Sequence, residues 1–140
     1  MERIHILLVE DEPDLAQALQ DDLNEMGYSV FHALNGREAL AFVKAQTVKV
    51  DIVLSDLNMP YMSGSQLIEE LRKIGFSRPF IVLSGFGSRD ELIQLLKHGA
   101  FNFLQKPVNF DGLKQAIDEA SKYVRLLNES TKELKERISG

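Results

Sequence analysis

Ile6-Leu7-Leu8-Val9-Glu10-Asp11-Glu12-Pro13 decides how the chain is read, because its character changes abruptly within a few residues. A run of branched aliphatic side chains with no polar interruption is the pattern of a strand buried on both faces, as in a parallel sheet. Three acids then stand together, and Pro13 opens a segment of different period. Leu15, Ala18, Leu19, Leu23 and Met26 recur at helical spacing, and Gly27 follows as a stop signal. A strand therefore delivers acids to its carboxyl end and turns directly into an amphipathic helix.

The same alternation repeats along the chain. Residues 50–54, 80–83 and 101–104 are further short apolar runs expected to form buried strands, and the more mixed run at 28–33 makes a fifth. Helical period returns around 37–45, around Leu67, Ile68 and Leu71 before Gly75, and around Leu92, Leu95 and Leu96 before Gly99. Parallel neighbours need a crossover, and that crossover is right-handed almost without exception. The expected architecture is therefore α/β, a doubly wound five-stranded parallel sheet with helices on both faces.

The composition is that of an ordinary globular chain, and 140 residues suffice for one core. Sixteen basic against twenty-one acidic residues give a net charge of -5, which disfavours direct binding to nucleic acid or to an anionic membrane. The absence of cysteine excludes disulfides, thiolate metal sites and cysteine nucleophiles. No apolar stretch approaches the roughly 20 residues of a membrane span, and the amino terminus lacks the order of a signal peptide. A cytoplasmic location is the expectation.

Ligands of a doubly wound sheet bind beyond the carboxyl ends of its strands. There the first strand presents Glu10-Asp11-Glu12, the third Ser55-Asp56, the fourth Ser84-Gly85, and the fifth Gln105-Lys106-Pro107. Carboxylates brought this close repel unless a cation sits among them, and an all-oxygen site suits Mg²⁺. A carboxylate, a divalent ion and a lysine together are what an incoming phosphoryl group requires, which points to Asp56 as its acceptor. Each residue has a plainer role when taken singly. Asp11 or Glu12 could cap the first helix, Asp56 could belong to a turn with Asn58, Pro60 and Gly64, Lys106 could be a solvated surface lysine, and Ser84 is a common strand-end hydroxyl. Their convergence on one rim favours the functional reading. His5, His32 and His98 lack metal-ligand spacing, and Gly85-Phe86-Gly87 lacks the third glycine and the strand context of a dinucleotide fingerprint.

Four strings, residues 6–13, 51–60 (with Asp56 and Pro60), 82–85 and 99–107 (with Phe103 and Lys106), stand in an order and spacing that resemble the response regulator receiver domain of two-component signalling. The resemblance spans residues 3–124 and leaves 125–140 as a helical extension. It implies a flavodoxin-like sheet of order 2-1-3-4-5. It further implies that Asp56 takes phosphate from a sensor histidine kinase or histidine phosphotransfer protein. Mg²⁺ would be held by Asp11, Asp56 and the backbone carbonyl of Asn58, with Glu10 assisting. Lys106 would pair with the phosphoryl oxygens, Ser84 would move to bond them, and Phe103 would turn inward. The surface of the fourth helix, fifth strand and fifth helix would then change its contacts with a downstream protein target. The resemblance also implies that the Lys106-Pro107 bond is cis.

Three positions depart from the commonest pattern: Glu10 stands where aspartate is also frequent, Gly85 replaces an alanine, and Phe103 replaces a frequent tyrosine. Gly85-Phe86-Gly87 is expected to loosen its loop, and Phe103 without a phenolic hydroxyl is either a switch or a core residue. Two other readings compete with the switch. One is a degenerate receiver acting as a constitutive scaffold or dimerisation module. The other is an aspartyl-phosphate hydrolase, disfavoured because Asn58 stands where such enzymes carry a second acid.

Beyond Lys106-Pro107, Leu113, Ile117, Ala120, Val124, Leu127, Thr131, Leu134 and Ile138 follow a heptad spacing. A helix of that length overshoots a short strand. Its last turns either stay solvated or form a short coiled coil that pairs with a second copy as a homodimer or leads into an output domain.

Overall fold

The structure, a computed structural model, describes residues 3–85 and 89–139. Strands and helices alternate throughout: β1 (His5–Val9), α1 (Pro13–Glu25), β2 (Ser29–Ala33), α2 (Gly36–Ala45), β3 (Ile52–Asp56), α3 (Gly64–Lys73), β4 (Phe80–Ser84), α4 (Arg89–Lys97), β5 (Asn102–Gln105) and α5 (Phe110–Ser139). The five strands are parallel in the order β2-β1-β3-β4-β5, the flavodoxin-like arrangement. Strand order reverses at β1, so β1 and β3 flank the crevice where a ligand is expected.

Side chains alternate across a strand, and this alternation builds two cores. Ile6 and Leu8, Ile52 and Leu54, and Ile81 and Leu83 face α1 and α5, meeting Leu19, Leu23, Leu113, Ile117 and Val124. Leu7, Val9, Val53, Phe80 and Val82 face the other way, onto Ala39, Leu67, Ile68, Leu71 and Leu95 of α2, α3 and α4. The central strands are thus buried on both faces, as their unbroken aliphatic runs require.

Local signals set the helix ends. Pro13 lies in the first turn of α1. The Asn35 side chain accepts the Glu38 N–H at 3.0 Å to open α2, and Ser63 with Gln66 forms a reciprocal capping box on α3. Gly27, at φ +97°, ends α1 in the left-handed region that glycine enters without steric cost.

Two expectations need correction. The run at 101–104 is not a buried strand: β5 is an outer strand with a neighbour on one side only, and its residues alternate between half-buried and exposed. Phe103 is accordingly not a core residue, since 45% of its surface is exposed. The loosened loop expected at Gly85-Phe86-Gly87 concerns Phe86 and Gly87, which lie outside the described residues.

Helix α5 is continuous over 30 residues, about 45 Å at 1.5 Å per residue. A five-residue strand spans only about 17 Å. Because α5 starts near the carboxyl rim and runs back, its second half passes the amino-terminal edge of the sheet. Its buried residues stop at Val124, and Leu134 and Ile138 are exposed.

Candidate functional site

β1 and β3 are direct neighbours, with Val9 paired to Ser55. The residues that follow each pair, Glu10 and Asp11 on one side and Asp56 on the other, are therefore held side by side. Carboxylate oxygens of Glu10, Asp11 and Asp56 all lie within 4.8 Å of one another. Lys106, just past the end of β5, reaches across β4 to place Nζ 2.8 Å from Asp56 Oδ2 and 3.5 Å from Glu10 Oε1. Its backbone N–H donates to the Ser84 carbonyl at 2.7 Å, which fixes the β5 end to the β4 end. Ser84 is buried at this rim. Asn58 is exposed in the following loop, and its N–H donates to Asp56 Oδ1 at 3.3 Å. The Lys106–Pro107 bond is cis.

Glu10 is fully buried, although its Oε2 accepts the Glu12 N–H at 3.1 Å. Burial pushes the Glu10 carboxyl up from an ordinary 4.5 to about 7; the Glu12 N–H opposes this, the nearby Asp56 charge reinforces it, and Lys106 opposes it. For Lys106, burial works against the charged form, but the hydrogen bond to Asp56 and the charges of Asp56 and Glu10 outweigh it and the ammonium is held above its usual range. One cation against three carboxylates leaves the cluster short of positive charge. Hard oxygen donors at this spacing fit a small divalent cation.

The expected residues Glu10, Asp11, Asp56, Ser84 and Lys106 are brought to one rim, whereas Phe103 stands away from the acids on the outer strand. Asp11 is exposed, and Glu12 occupies the N-cap position of α1 without a side-chain capping bond, so the plainer reading of these acids as caps is not what the geometry presents.

Two contributors were missed by sequence reading. His32 on β2 places Nε2 2.7 Å from the Glu10 carbonyl oxygen and so ties the acidic turn to the neighbouring strand. Only the β1–β2 register, with Leu8 paired to His32, brings it there. Gly64 opens α3 directly behind Asp56: a Cβ on it would lie 2.8 Å from the Asp56 carbonyl oxygen and 3.1 Å from Leu57 Cα. Both contacts are backbone, which yields poorly. Gly64→Ala is expected to destabilise the domain by about 1–3 kcal/mol through overpacking, measured by urea denaturation, and to weaken divalent-ion binding by displacing Asp56.

A family profile described as "Response regulator receiver domain" matches residues 6–118. The chain belongs to the response regulator receiver domain family. This receiver domain is 43% identical over 116 residues to the transcriptional regulatory protein GlrR of Escherichia coli (strain K12), covering 83% of this chain and 26% of that protein. It is 35% identical over 120 residues to the sensor histidine kinase RcsC of Salmonella typhi, covering 86% of this chain and 12% of that protein. The chain thus spans about a quarter or less of these relatives. Among solved structures, a response regulator receiver domain protein from Clostridium thermocellum superposes with a TM-score of 0.83 at 33% identity, over 89% of this chain and 98% of that one. A signal receiver domain from Vibrio parahaemolyticus gives 0.85 at 30% identity, over 92% and 98%. The receiver fold and its place in two-component signalling follow from these matches.

Proposed function

We propose that this receiver domain is a phosphorylation switch in which Asp56 accepts a phosphoryl group from a phosphohistidine of a sensor histidine kinase or histidine phosphotransfer protein. The observation that carries the reading is the 2.8 Å contact between Lys106 Nζ and Asp56 Oδ2 inside the cluster of Glu10, Asp11 and Asp56. An Asp56 oxygen attacks phosphorus, the P–N bond breaks as the P–O bond forms, and the departing imidazole takes up a proton from solvent. Glu10, Asp11, Asp56 and the Asn58 carbonyl would hold Mg²⁺, which when bound draws off the charge that otherwise repels an incoming phosphoryl group. Lys106 pairs with a phosphoryl oxygen, and Ser84 moves to bond another. The domain promotes only its own phosphorylation and dephosphorylation.

The output is a change of protein contacts. Ile93 and Leu96 on α4, Phe101 and Phe103 at β5, and Tyr123 on α5 leave apolar surface exposed along one side, as a protein-reading surface requires. Phe103 is the residue whose inward turn would alter that surface. We assign residues 3–124 to the receiver unit and 125–140 to a helical extension. The intended targets are proteins rather than nucleic acid or membrane, in line with the net charge of -5. No helix among the described residues is long and apolar enough to cross a membrane, and we place the domain in the cytoplasm, where a phosphohistidine donor resides. The heptad spacing of Leu127, Thr131, Leu134 and Ile138, with Leu134 and Ile138 exposed, supports a homodimer through α5. Analytical ultracentrifugation should then give a dimer that Leu134→Lys with Ile138→Lys converts to monomer; a wild-type monomer at high protein concentration rules that contact out.

Intact-mass measurement after incubation with acetyl phosphate tests the switch. One adduct of about 80 Da is expected with Mg²⁺, and none with a chelator or in Asp56→Ala. Continuous release of inorganic phosphate without an adduct would identify a hydrolase instead.

A further inference from the structure

A concave region lies at the opposite end of the sheet from Asp56. Its floor is the amino-terminal start of β1 and the segment leading into β3, and its wall is the part of α5 that overhangs the sheet. The cleft has a volume of about 780 Å³, within the range of small-ligand sites. Arg3, Lys49, Arg125 and Lys132 line it. In a chain of net charge -5 this is a local inversion of sign.

Two carboxylates share the cleft, Asp51 and Glu129. Asp51 is buried and already accepts the His5 backbone N–H at 2.9 Å. Among the described residues, none of the four cations has a carboxylate within ion-pair distance; the ion pairs all lie elsewhere. Lys49 Nζ donates to the neutral Asn128 Oδ1, at 3.3 Å, bridging the floor to the wall. Arg125, Asn128 and Lys132 follow one another at spacings of three and four, so they share one face of α5. His5, also at the cleft, has a buried Nδ1 with no hydrogen-bond partner.

The usual fate of surface lysines and arginines is solvation on a convex face. Here four are gathered around a concavity, with two carboxylates between them, which leaves an excess of two positive charges. We infer that the cleft binds a small phosphate-bearing anion, gripped between the sheet edge by Arg3 and Lys49 and the helix overhang by Arg125 and Lys132. Guanidinium groups suit phosphate because their donors match two oxygens at once. Binding there ties the projecting half of α5 to the body of the domain, and it involves no residue of the acidic rim.

The test is a titration of the full chain with pyrophosphate in metal-free buffer at physiological ionic strength, followed by backbone amide NMR. Saturable shifts are expected at residues 3–5, 49–51 and 125–132, with affinity reduced about tenfold or more in Lys49→Gln with Arg125→Gln and unchanged in Asp56→Asn. Citrate, a carboxylate anion of similar charge, should bind more weakly. All four cations are exposed, and Arg3→Gln with Lys132→Gln provides the same readout should the first pair fail to fold. Shifts that do not saturate, that survive both charge pairs, or that citrate reproduces at equal affinity overturn the proposal.

Discussion

Replacement of Lys106 by methionine is expected to slow phosphorylation by acetyl phosphate by about 10²-fold or more while tightening Mg²⁺ binding. The two effects have opposite sign because Lys106 plays two parts. In the proposed switch its ammonium supplies preorganised positive charge to the phosphoryl oxygens, and loss of one such group typically costs roughly 10²–10³ in rate. Without a phosphoryl group, the same ammonium sits 2.8 Å from Asp56 Oδ2 and 3.5 Å from Glu10 Oε1, where it competes with a divalent ion for those carboxylates. Stopped-flow mass measurement gives the rate, and calorimetric titration with Mg²⁺ gives the affinity. A lysine that served only to hold the fold would lower both together.

Glu10→Gln is expected to stabilise the metal-free domain at pH 8 and to weaken its hold on Mg²⁺. The Glu10 carboxyl is pushed up to about 7 by burial, against an ordinary 4.5 in the unfolded chain. The folded state thus binds this proton more tightly than the unfolded state does. The associated stability is fully present below pH 4.5 and is lost as the pH rises through 7. A shift of this size corresponds to about 3 kcal/mol, on the order of 1–3 kcal/mol of which should reappear in the glutamine variant at pH 8. The quantity to measure is the difference between wild-type and variant urea stabilities from pH 4 to 8, since subtraction removes the other titrating carboxylates. A flat difference would contradict the buried, protonating Glu10. Mg²⁺ should also bind wild type more weakly at pH 6 than at pH 8, because the ion must displace the proton.

Much of the fold was legible because the chain marks its own boundaries. Buried parallel strands must be continuously apolar, and Pro13, Gly27, Gly75 and Gly99 bracket the helices between them. The acidic rim was legible for a topological reason: every strand of a parallel sheet ends at the same edge, so residues remote in sequence could be placed together without knowing any contact. What depends on lateral register was not legible. His32 meets the Glu10 carbonyl only because β2 pairs with β1 in one particular alignment, and nothing in the sequence around His32 fixes that alignment. Gly64 looked like turn chemistry, whereas its necessity lies in the 2.8 Å approach to the Asp56 carbonyl. The burial of β5 was overestimated because a short, mostly apolar run reads alike whether it is central or outermost, and Phe103 stands exposed on the outer strand. The basic cleft escaped notice because its residues come from the first strand, the approach to the third and the last helix.

The central claim is that Asp56 itself carries the phosphoryl group. Acyl phosphates are reduced by borohydride whereas carboxylates and phosphate esters are not, so the acceptor can be located chemically. Protein treated with acetyl phosphate and Mg²⁺, then reduced, digested and sequenced by mass spectrometry, should contain homoserine in place of aspartate at position 56 and at no other acid. Homoserine at position 11 instead, or an adduct that resists reduction and maps to Ser84, would contradict the assignment.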